Sequence, residues 1–433
     1  MNYQQSLEFV NQLTKFGINL GLDRIKELMH RIGSPHEKLR FIHIGGTNGK
    51  GSVSVMVANI LKEAGYRVGL FTSPHLYSYC ERISINGNPI SKERFAELLT
   101  WFKPILKSME AEDFEHPTEF EVLTAVALKF FADEKVDLAV LEVGLGGAID
   151  STNVINSSLV SVITNVGMDH LQYLGDNITA VANIKAGIIK ENGFVVTAAR
   201  HPDALSVISR KCKDKEATLY CVGRDITFKE REASLNGGIF DLQGLLGFYK
   251  GLKITLLGRH QLENAAVAVT VIETLKRHYS IKITEYDLRR GLEKAFWPAR
   301  LEIMNKDPMV VIDGAHNIDG AISLRKNLEE IFSYRHLILV FGMLADKERE
   351  KVVDELAPLA TVAIVTKPNN PRSGQWQSVA ELVRKHVSSV EVIESISEAV
   401  KRALAIASPC DLICVTGSLY MVAEARQLLK NII

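Results

Sequence analysis

The segment FIHIGGTNGKGS, residues 41–52, has the residue types of a phosphate-binding loop without its usual spacing. When the motif G-x-x-x-x-G-K-[ST] is aligned on its Gly-Lys pair, Ile44 replaces the first glycine and Gly51 replaces the final Ser or Thr. The physical requirements are still met, because glycines let the backbone approach an anion, helix-terminal amides bind it, and Lys50 adds positive charge. A glycine-rich turn with a surface lysine is the simpler alternative, but several glycines and a lysine together favour a nucleotide phosphate site.

This loop needs a strand before it and a helix after it, and the sequence supplies both. FIHI (41–44) is a short apolar run, and a helix-like stretch extends from Gly51 to Ala64. Thr47 and Ser52 offer hydroxyl groups to a Mg²⁺ ion beside the phosphates. In open α/β sheets, ligands bind beyond the carboxyl ends of the strands, which is where this loop would lie.

Short runs rich in Val, Ile and Leu alternate with helical patterns along the chain. Such runs predict the α/β class, with open, mostly parallel sheets covered by helices. The further runs are RVGLF (67–71), DLAVLEV (137–143), LVSVIT (159–164), MVVIDG (309–314), HLILVFG (336–342), TVAIVT (361–366) and DLICVTG (411–417). The polar-interrupted stretch from about 221 to about 256 predicts a small antiparallel excursion.

The length of the chain predicts two domains. Its 433 residues exceed what one hydrophobic core usually serves. Trp297-Pro298 should end a helix, and we place the boundary there. Residues 1–296 are predicted to form an N-terminal domain similar to P-loop ATPases, and residues 297–433 a smaller, Rossmann-like C-terminal domain.

Polar side chains follow three predicted strands of the first domain. Ser73 follows RVGLFT, Glu142 lies near the end of DLAVLEV, and His170 comes shortly after LVSVIT. Because parallel strands bring these ends to the edge that carries the phosphate loop, the three residues are candidate Mg²⁺ ligands. A nitrogen ligand is unusual for magnesium, so a structural role for the histidine stays open.

The second domain also has polar residues at its strand ends. Asp313 and His316 follow one strand, and Ser418 follows another. A second polar edge predicts that another substrate meets the nucleotide in a cleft between the domains. The glycines of GLGG (144–147), by contrast, do not predict a dinucleotide site, because Ile149 stands where the third glycine of G-x-G-x-x-G belongs.

Composition narrows the possible functions. The 51 Lys+Arg residues balance the 51 Asp+Glu residues, so nucleic-acid binding through bulk charge is not expected. The five cysteines include no C-x-x-C pair and no cluster with zinc-ligand spacing, which favours a reducing cytoplasm. We expect neither a targeting segment nor a membrane partner, since no run approaches about 18 apolar residues. A monomer is the working hypothesis.

The chain resembles a known family through motifs that run in order along nearly its whole length. These motifs are GLDRI (21–25), GTNGKGS (46–52), TSPHL (72–76), EVGLGG (142–147), TNVGMDH (164–170), KAGI (185–188), GRHQLENAA (258–266), WPARLE (297–302), DGAHN (313–317) and TGSLY (416–420). Together they are similar to those of the folylpolyglutamate synthase family, a branch of the ATP-dependent ligases that include the Mur enzymes of cell-wall synthesis. The spelling GTNGKGS is that family's own form of the phosphate loop.

The resemblance implies a ligase reaction that uses ATP and Mg²⁺. ATP phosphorylates a carboxylate of a reduced folate, the amine of L-glutamate attacks the acyl phosphate, and phosphate leaves as the amide forms. The protein mostly positions the reactants and neutralises charge. Some members of the family add glutamate to dihydropteroate as well or instead, and that alternative stays open here.

The resemblance also implies roles for individual residues. Lys50, Lys185 and His316 are implied to be catalytic, with Lys185 carbamylated so that it offers oxygen instead of a cation. Magnesium is implied to bind Ser73, Glu142, His170 and the modified Lys185. L-Glutamate is implied to contact His316 and Ser418, and the folate Arg82. The nucleotide is implied to contact Thr47, Asn48, Gly49, Lys50, Gly51, Ser52, Gln261, Asn264, Arg300 and Asp313.

Three positions depart from the family pattern, and two other functions stay open. Ala148 stands where Arg is frequent, Ala299 where Gly is usual, and Ile318 where Pro is usual. The first change affects a possible substrate or phosphate contact, and the other two suggest local backbone adjustments. The alternatives are a Mur-type ligase acting on a nucleotide-sugar peptide and, from a different class, a nucleotide-driven switch. GTNGKGS and TSPHL favour the folate branch, and the second polar edge argues against a switch.

Overall fold

The structure is a computed structural model that describes residues 1–17, 19–169 and 171–432. The chain divides into two compact units. The first comprises Met1–Lys229, Phe240–Lys253 and Glu263–Ala295, and the second comprises Glu230–Ile239, Ile254–Leu262 and Phe296–Ile433. The assignment of 1–296 and 297–433 as functional domains stays a prediction.

In the described part of the chain, the first unit is built on an eight-stranded sheet. Its strands are β1 Phe41–Gly45, β2 Val68–Phe71, β3 Ile83–Ile85, β4 Asn88–Pro89, β5 Leu138–Glu142, β6 Val160–Ile163, β7 Phe194–Thr197 and β8 Thr218–Cys221. Their order is β4-β3-β2-β5-β1-β6-β7-β8. Neighbours from β2 through β8 are parallel, whereas β3 and β4 join antiparallel at one edge. The four strands β2, β5, β1 and β6 are buried along their whole length, which accounts for their continuous apolar sequences.

Helices precede this sheet, fill several of the connections between its strands and follow it along the chain. They are α1 Tyr3–Leu13, α2 Asp23–Arg31, α3 Lys50–Glu63, α4 Lys92–Ala111, α5 Glu119–Asp133, α6 Leu171–Leu174, α7 Ile178–Ala186, α8 Pro202–Asp214, α9 His260–Tyr279 and α10 Glu285–Glu293. Helix α3, which follows the glycine loop directly, packs against β1, β2 and β5. It thereby fixes the position of its own first turn at the carboxyl edge of the sheet.

A buried ion pair joins α2 to α5. Nε of Arg24 lies 3.1 Å from Oε2 of Glu121, and the two side chains are only 9% and 4% exposed. A second nitrogen of Arg24 donates to Glu115 at 2.8 Å. Glu121 also accepts the backbone amide of Thr118 at 2.7 Å, within the capping box of α5. The pair therefore stabilises the first turn of α5 as well as its contact with α2.

A three-stranded sheet occupies the stretch where an excursion was predicted. Its strands are β9 Thr227–Ser234, β10 Gly237–Gln243 and β11 Phe248–Ile254, in the order β11-β10-β9. The loop between β10 and β11 is held by Glu273 of α9, whose carboxylate accepts the amides of Leu245 and Leu246 at 2.8 and 2.9 Å. The predicted excursion is therefore a three-stranded sheet of its own; its placement within the first domain stays a prediction.

In the described residues of the second unit, a six-stranded sheet forms the centre. Its strands are β12 Glu302–Lys306, β13 Met309–Asp313, β14 Leu337–Phe341, β15 Val362–Val365, β16 Ser389–Val392 and β17 Leu412–Thr416. They lie in the order β12-β13-β17-β14-β15-β16, and all neighbours except β12 and β13 are parallel. The helices are α11 Ile318–Glu330, α12 Arg349–Leu356, α13 Ser378–Arg384, α14 Ile396–Ile406 and α15 Leu419–Ile432. The predicted α/β class with mostly parallel sheets is confirmed.

Among the described residues, no helix combines the length and the apolar character needed to cross a bilayer. The cytoplasmic location and the monomeric state stay predictions.

Candidate functional site

The predicted phosphate loop connects β1 to α3 through four residues, Gly46 to Gly49. Gly46 has a φ of +141° and Gly49 a φ of +82°, both in the range that favours glycine. A Cβ atom at Gly46 would lie 1.9 Å from Oγ1 of Thr164, and one at Gly49 would lie 2.4 Å from Oδ1 of Asn264. Both glycines are therefore required by backbone conformation and by close neighbours.

The loop ends at the first turn of α3. In any helix the first amides have no partner within the helix, so those from Gly49 to Ser52 are oriented for an anion. The Lys50 ammonium donates to the carbonyl oxygens of Gly46 at 3.2 Å and of Thr47 at 3.0 Å. This lysine thus lies folded over the loop, where it can neutralise phosphate charge.

The segment after β6 contacts the same loop along most of its length. Thr164 Oγ1 donates to the carbonyl oxygen of Asn48 at 2.6 Å. The Asn48 amide donates to Oδ1 of Asn165 at 2.8 Å, and the Thr47 amide donates to the Asn165 carbonyl oxygen at 3.1 Å. The Thr47 hydroxyl bonds to Gly167. Sequence reasoning found TNVGMDH only as a family motif and assigned no role to Thr164 or Asn165; the available signal was their position after a strand.

Two of the predicted magnesium ligands are brought together at adjacent strand ends. The Ser73 amide, just beyond β2, donates to Oε2 of Glu142 at 3.1 Å, and Glu142 ends the neighbouring strand β5. Glu142 is only 4% exposed. The third predicted ligand, His170, lies outside the described residues.

Lys185, near the end of α7, is buried beside the phosphate loop. Its Nζ donates to the carbonyl oxygen of Gly46 at 2.9 Å, and the residue is 3% exposed. Burial, assisted by the positive charge of Lys50 and partly opposed by Asp169, lowers the pKa of Lys185 to about 7. A substantial fraction of this amine is therefore neutral near pH 7.

The GLGG segment packs closely against the end of α7. A Cβ at Gly147 would lie 2.7 Å from the Ile184 carbonyl oxygen and 2.9 Å from that of Lys185. Gly146 has a φ of +73°, and the Ala148 amide donates to the Ile184 carbonyl at 2.8 Å. These glycines let the loop after β5 approach the backbone that carries Lys185. Close packing therefore explains the glycines of GLGG without a dinucleotide site.

Arg82 lies in a second group of the first unit, next to the TSPHL segment. Its Nε donates to Nδ1 of His75 at 2.8 Å, and its guanidinium lies 5.2 Å from the centre of the Tyr79 ring. A weaker ion pair reaches Glu119 at 3.7 Å. Burial, assisted by the charge of Arg82, lowers the pKa of His75 to about 3, so this imidazole is neutral at physiological pH.

The two nucleotide candidates of α9 lie in its first turns. Asn264 is nearly buried, and the small gap between its Oδ1 and the Gly49 backbone sets it against the phosphate loop. The Gln261 side chain is buried, and its amide donates to the carbonyl oxygen of Gly258 at 2.9 Å. Asn264 therefore packs against the phosphate loop, whereas Gln261 contacts the segment that precedes the helix.

Within the second unit, Arg300 and Asp313 are linked through the backbone turn that precedes β12. The Asp313 carboxylate accepts the amides of Leu301 at 2.7 Å and Ala315 at 2.8 Å. Burial raises the pKa of Asp313, and the Arg300 guanidinium partly offsets this. Ala299 has a φ of +58°, a left-handed conformation that glycine adopts without strain. The backbone adjustment predicted at this position is therefore a left-handed conformation, which is strained for alanine.

His316 and Ser418 follow β13 and β17, which are parallel neighbours with Asp313 in register with Thr416. Nδ1 of His316 donates to the carbonyl oxygen of Gly314 at 2.8 Å. Ser418 is 2% exposed, and among the described residues its hydroxyl has no hydrogen-bond partner, as is also true of Thr416. Buried hydroxyls without partners are uncommon, and an ordered water or a bound polar ligand is one way in which they are satisfied.

Comparison with known proteins gives one consistent result. A Mur ligase middle domain matches residues 44–272, and a Mur ligase glutamate ligase domain matches residues 299–419. The chain is 36% identical over 429 residues to a dihydrofolate synthase/folylpolyglutamate synthase of Bacillus subtilis strain 168, covering 99% of each chain. It is 35% identical over 431 residues to the folylpolyglutamate synthase of Lacticaseibacillus casei, again covering 99% of each. The crystal structure of Mycobacterium tuberculosis folylpolyglutamate synthase complexed with ADP and AMPPCP superposes with a TM-score of 0.91 at 33% identity, covering 99% of each chain.

Proposed function

The chain belongs to the Mur ligase family of ATP-dependent ligases, in its folylpolyglutamate and dihydrofolate synthase branch, and we propose that it joins L-glutamate to the glutamyl carboxylate of reduced folates. The observation that carries this proposal is the glycine loop before α3 with two lysines on its carbonyls. Nζ of Lys50 and Nζ of Lys185 both donate to the Gly46 carbonyl oxygen, at 3.2 and 2.9 Å. The Lys50 cation held on this loop, next to the first amides of α3, suits a polyanion such as a triphosphate.

The proposed reaction has two steps. A folate carboxylate is a poor electrophile until one of its oxygens accepts the γ-phosphoryl group of ATP, which releases ADP and gives an acyl phosphate. The amine of L-glutamate then attacks the acyl carbon, an amide bond forms, and inorganic phosphate and a proton leave. Because phosphoryl transfer needs little covalent help, positioning and charge neutralisation supply most of the catalysis.

The first task of the chain is to hold the triphosphate. The amides from Gly49 to Ser52 would donate to phosphate oxygens, and the Lys50 ammonium would leave its carbonyl partners for the β- and γ-phosphates. Asn264 would bind beside them, since it already lies against Gly49. Gln261, Arg300 and Asp313 are proposed to contact the rest of the nucleotide. Thr47 and Asn48 complete the loop.

The residues present fit a magnesium ion. Ser73 and Glu142 offer oxygen donors from adjacent strand ends, and oxygen atoms are the ligands that magnesium prefers. His170 and a carbamylated Lys185 are the further proposed ligands. When bound, magnesium would neutralise charge on the phosphates.

Carbamylation of Lys185 is chemically reasonable in this environment. The neutral amine attacks CO₂, a nitrogen–carbon bond forms, and one proton is released to leave an anionic carbamate. The lowered pKa of about 7 makes the required neutral amine available. The carbamate nitrogen keeps a hydrogen, so it can still donate to the Gly46 carbonyl oxygen.

We assign the binding of L-glutamate, the attacking amine, to the second unit. His316 and Ser418 are proposed to bind L-glutamate, and the support is the buried Ser418 hydroxyl described above. His316 is proposed as a catalytic contact beside the incoming amine. Arg82 is proposed to face the folate; its guanidinium suits a carboxylate, although it already has partners in His75 and Glu119.

A second candidate is the addition of glutamate to dihydropteroate. The Bacillus subtilis relative is named for both activities, whereas the Lacticaseibacillus casei relative is named for one. Mass spectrometry of products formed from ATP and L-glutamate, with a reduced folate and dihydropteroate offered separately, distinguishes the two. We expect one added glutamate on the reduced folate, with phosphate released only when both acceptor and glutamate are present. If neither acceptor gains glutamate, the folate proposal is wrong; phosphate release without an acceptor would instead favour a nucleotide switch.

A further inference from the structure

The phosphate loop is shaped by hydrogen bonds to the neighbouring segment after β6. Thr164 donates its hydroxyl hydrogen to the Asn48 carbonyl at 2.6 Å, and its amide donates to the Gly45 carbonyl at 2.9 Å. Asn165 accepts the Asn48 amide on its side chain and the Thr47 amide on its backbone. Successive residues of the loop are therefore fixed by two consecutive residues of another strand end.

These bonds decide which amides can bind phosphate. The amides of Thr47 and Asn48 are already donated to Asn165, so they do not point at a ligand. Anion binding is left to the amides that follow, from Gly49 into the first turn of α3. The loop from Gly46 to Gly49 is shorter than the usual phosphate loop, and Thr164 and Asn165, which lie outside it, hold it in shape.

Thr164 packs closely against the phosphate loop. A methyl group at Gly46 would lie 1.9 Å from the Thr164 hydroxyl oxygen and 3.0 Å from its amide nitrogen. Thr164 is 2% exposed. Because Gly46 and Thr164 are so close, one cannot shift without the other. A substitution at Thr164 should therefore move the phosphate loop.

We propose that Thr164 and Asn165 are positioning residues for ATP, which act by holding the loop from Gly46 to Gly49 in its nucleotide-binding shape. The inference rests on the proposed function, because it assumes that this loop binds the ATP of the ligase reaction. Neither residue needs to touch the nucleotide. Their substitution should change nucleotide affinity while leaving affinity for glutamate unchanged.

The first test is Asn165→Ala in the full chain, measured by calorimetric titration with a non-hydrolysable ATP analogue. Loss of this partly buried hydrogen bond from the Asn48 amide should weaken binding about tenfold, or ~1.4 kcal/mol. The KM for ATP should rise by a similar factor, and the KM for L-glutamate should not. The matched control is Asn305→Ala, which removes two side-chain bonds to the carbonyls of Asp307 and Pro308 at 2.8 and 3.1 Å. It should leave nucleotide affinity unchanged.

The second test compares two substitutions at Thr164. Thr164→Val puts a methyl group where the hydroxyl donates to Asn48, and should weaken analogue binding about tenfold or more. Thr164→Ser keeps the donor and should stay within about twofold of the wild type. The two test positions remove different groups, so misfolding of one variant leaves the other informative.

Several results would overturn the inference. One is wild-type analogue affinity in folded Asn165→Ala or Thr164→Val protein; another is an equal rise in the KM for every substrate. The binding titration needs neither folate nor glutamate. A wild-type protein that binds the analogue but forms no glutamylated product would therefore refute the proposed function without affecting this inference.

Discussion

Lys185 should react with CO₂ near neutral pH, unlike ordinary surface lysines. Burial and the charge of Lys50 lower its pKa from 10.5 to about 7. At pH 7 about half of such an amine is neutral, compared with roughly one molecule in three thousand for an unperturbed lysine. Because only the neutral amine attacks CO₂, the reactive form of Lys185 is about a thousandfold more abundant.

The carbamate can be observed directly by ¹³C NMR of the metal-free full chain in ¹³C-labelled bicarbonate. We expect a carbamate resonance that grows as the pH rises through about 7, well below the range where exposed lysines react. Lys185→Met should abolish it. The matched control is Lys190→Met, which removes a neighbouring lysine whose pKa burial also lowers, to about 8. The resonance should survive that change.

Two further measurements follow from the same pKa. Lys185→Ala should lose activity, and a small added carboxylate should restore part of it by supplying the missing oxygen donor. Between pH 7 and 10.5 the unfolded chain holds the Lys185 proton that the folded chain has lost, so this residue's contribution to stability should rise with pH across that window. Absence of a Lys185-dependent resonance at about pH 8, or full activity of Lys185→Ala without added carboxylate, would refute the reasoning.

Three other substitutions test separate parts of the molecule. Lys50→Ala should reduce kcat about a thousandfold in a phosphate-release assay, because phosphate charge is left unneutralised; near-normal turnover would remove Lys50 from the mechanism. Ser418→Ala should raise the KM for L-glutamate about tenfold without lowering Tm, since its hydroxyl has no partner among the described residues; a lowered Tm with unchanged KM would contradict this. Arg24→Met should destabilise the protein by about 3–5 kcal/mol in urea unfolding, because the buried Glu121 carboxyl group loses its ion-pair partner, and adding Glu121→Gln should recover part of the loss.

The interior strands of the two large sheets could be predicted from sequence because they are nearly continuous apolar runs, whereas polar edge strands such as β4 and β12 could not. A strand that is buried on both faces appears in the sequence as a nearly continuous apolar run, as β1, β5 and β14 do. The phosphate loop was also predictable, since its glycines, lysine and flanking elements are contiguous in sequence. Ser73 and Glu142 could be grouped because parallel strands end at one edge.

Contacts that depend on strand order could not be predicted in the same way. The role of Asn165 emerges only when β6 is known to lie beside β1, because its bonds cross between the two strand ends. The glycines of GLGG had no explanation until α7 was seen to approach them. Lys185 was given a role only through the family resemblance, and its burial became evident only from the packing of α7 beside the phosphate loop.

The loops of the first unit's site all grow from β2, β5, β1 and β6, four adjacent strands in the interior of the sheet. Edge strands such as β4 and β8 can open locally at low cost, but interior strands are released only when the whole cooperative unit unfolds. In native-state hydrogen exchange, the amides of β1 and β5 should therefore be among the slowest of this unit. Fraying or proteolytic nicking at the sheet edges would leave the nucleotide loop intact, so this half of the site should persist until the fold itself is lost.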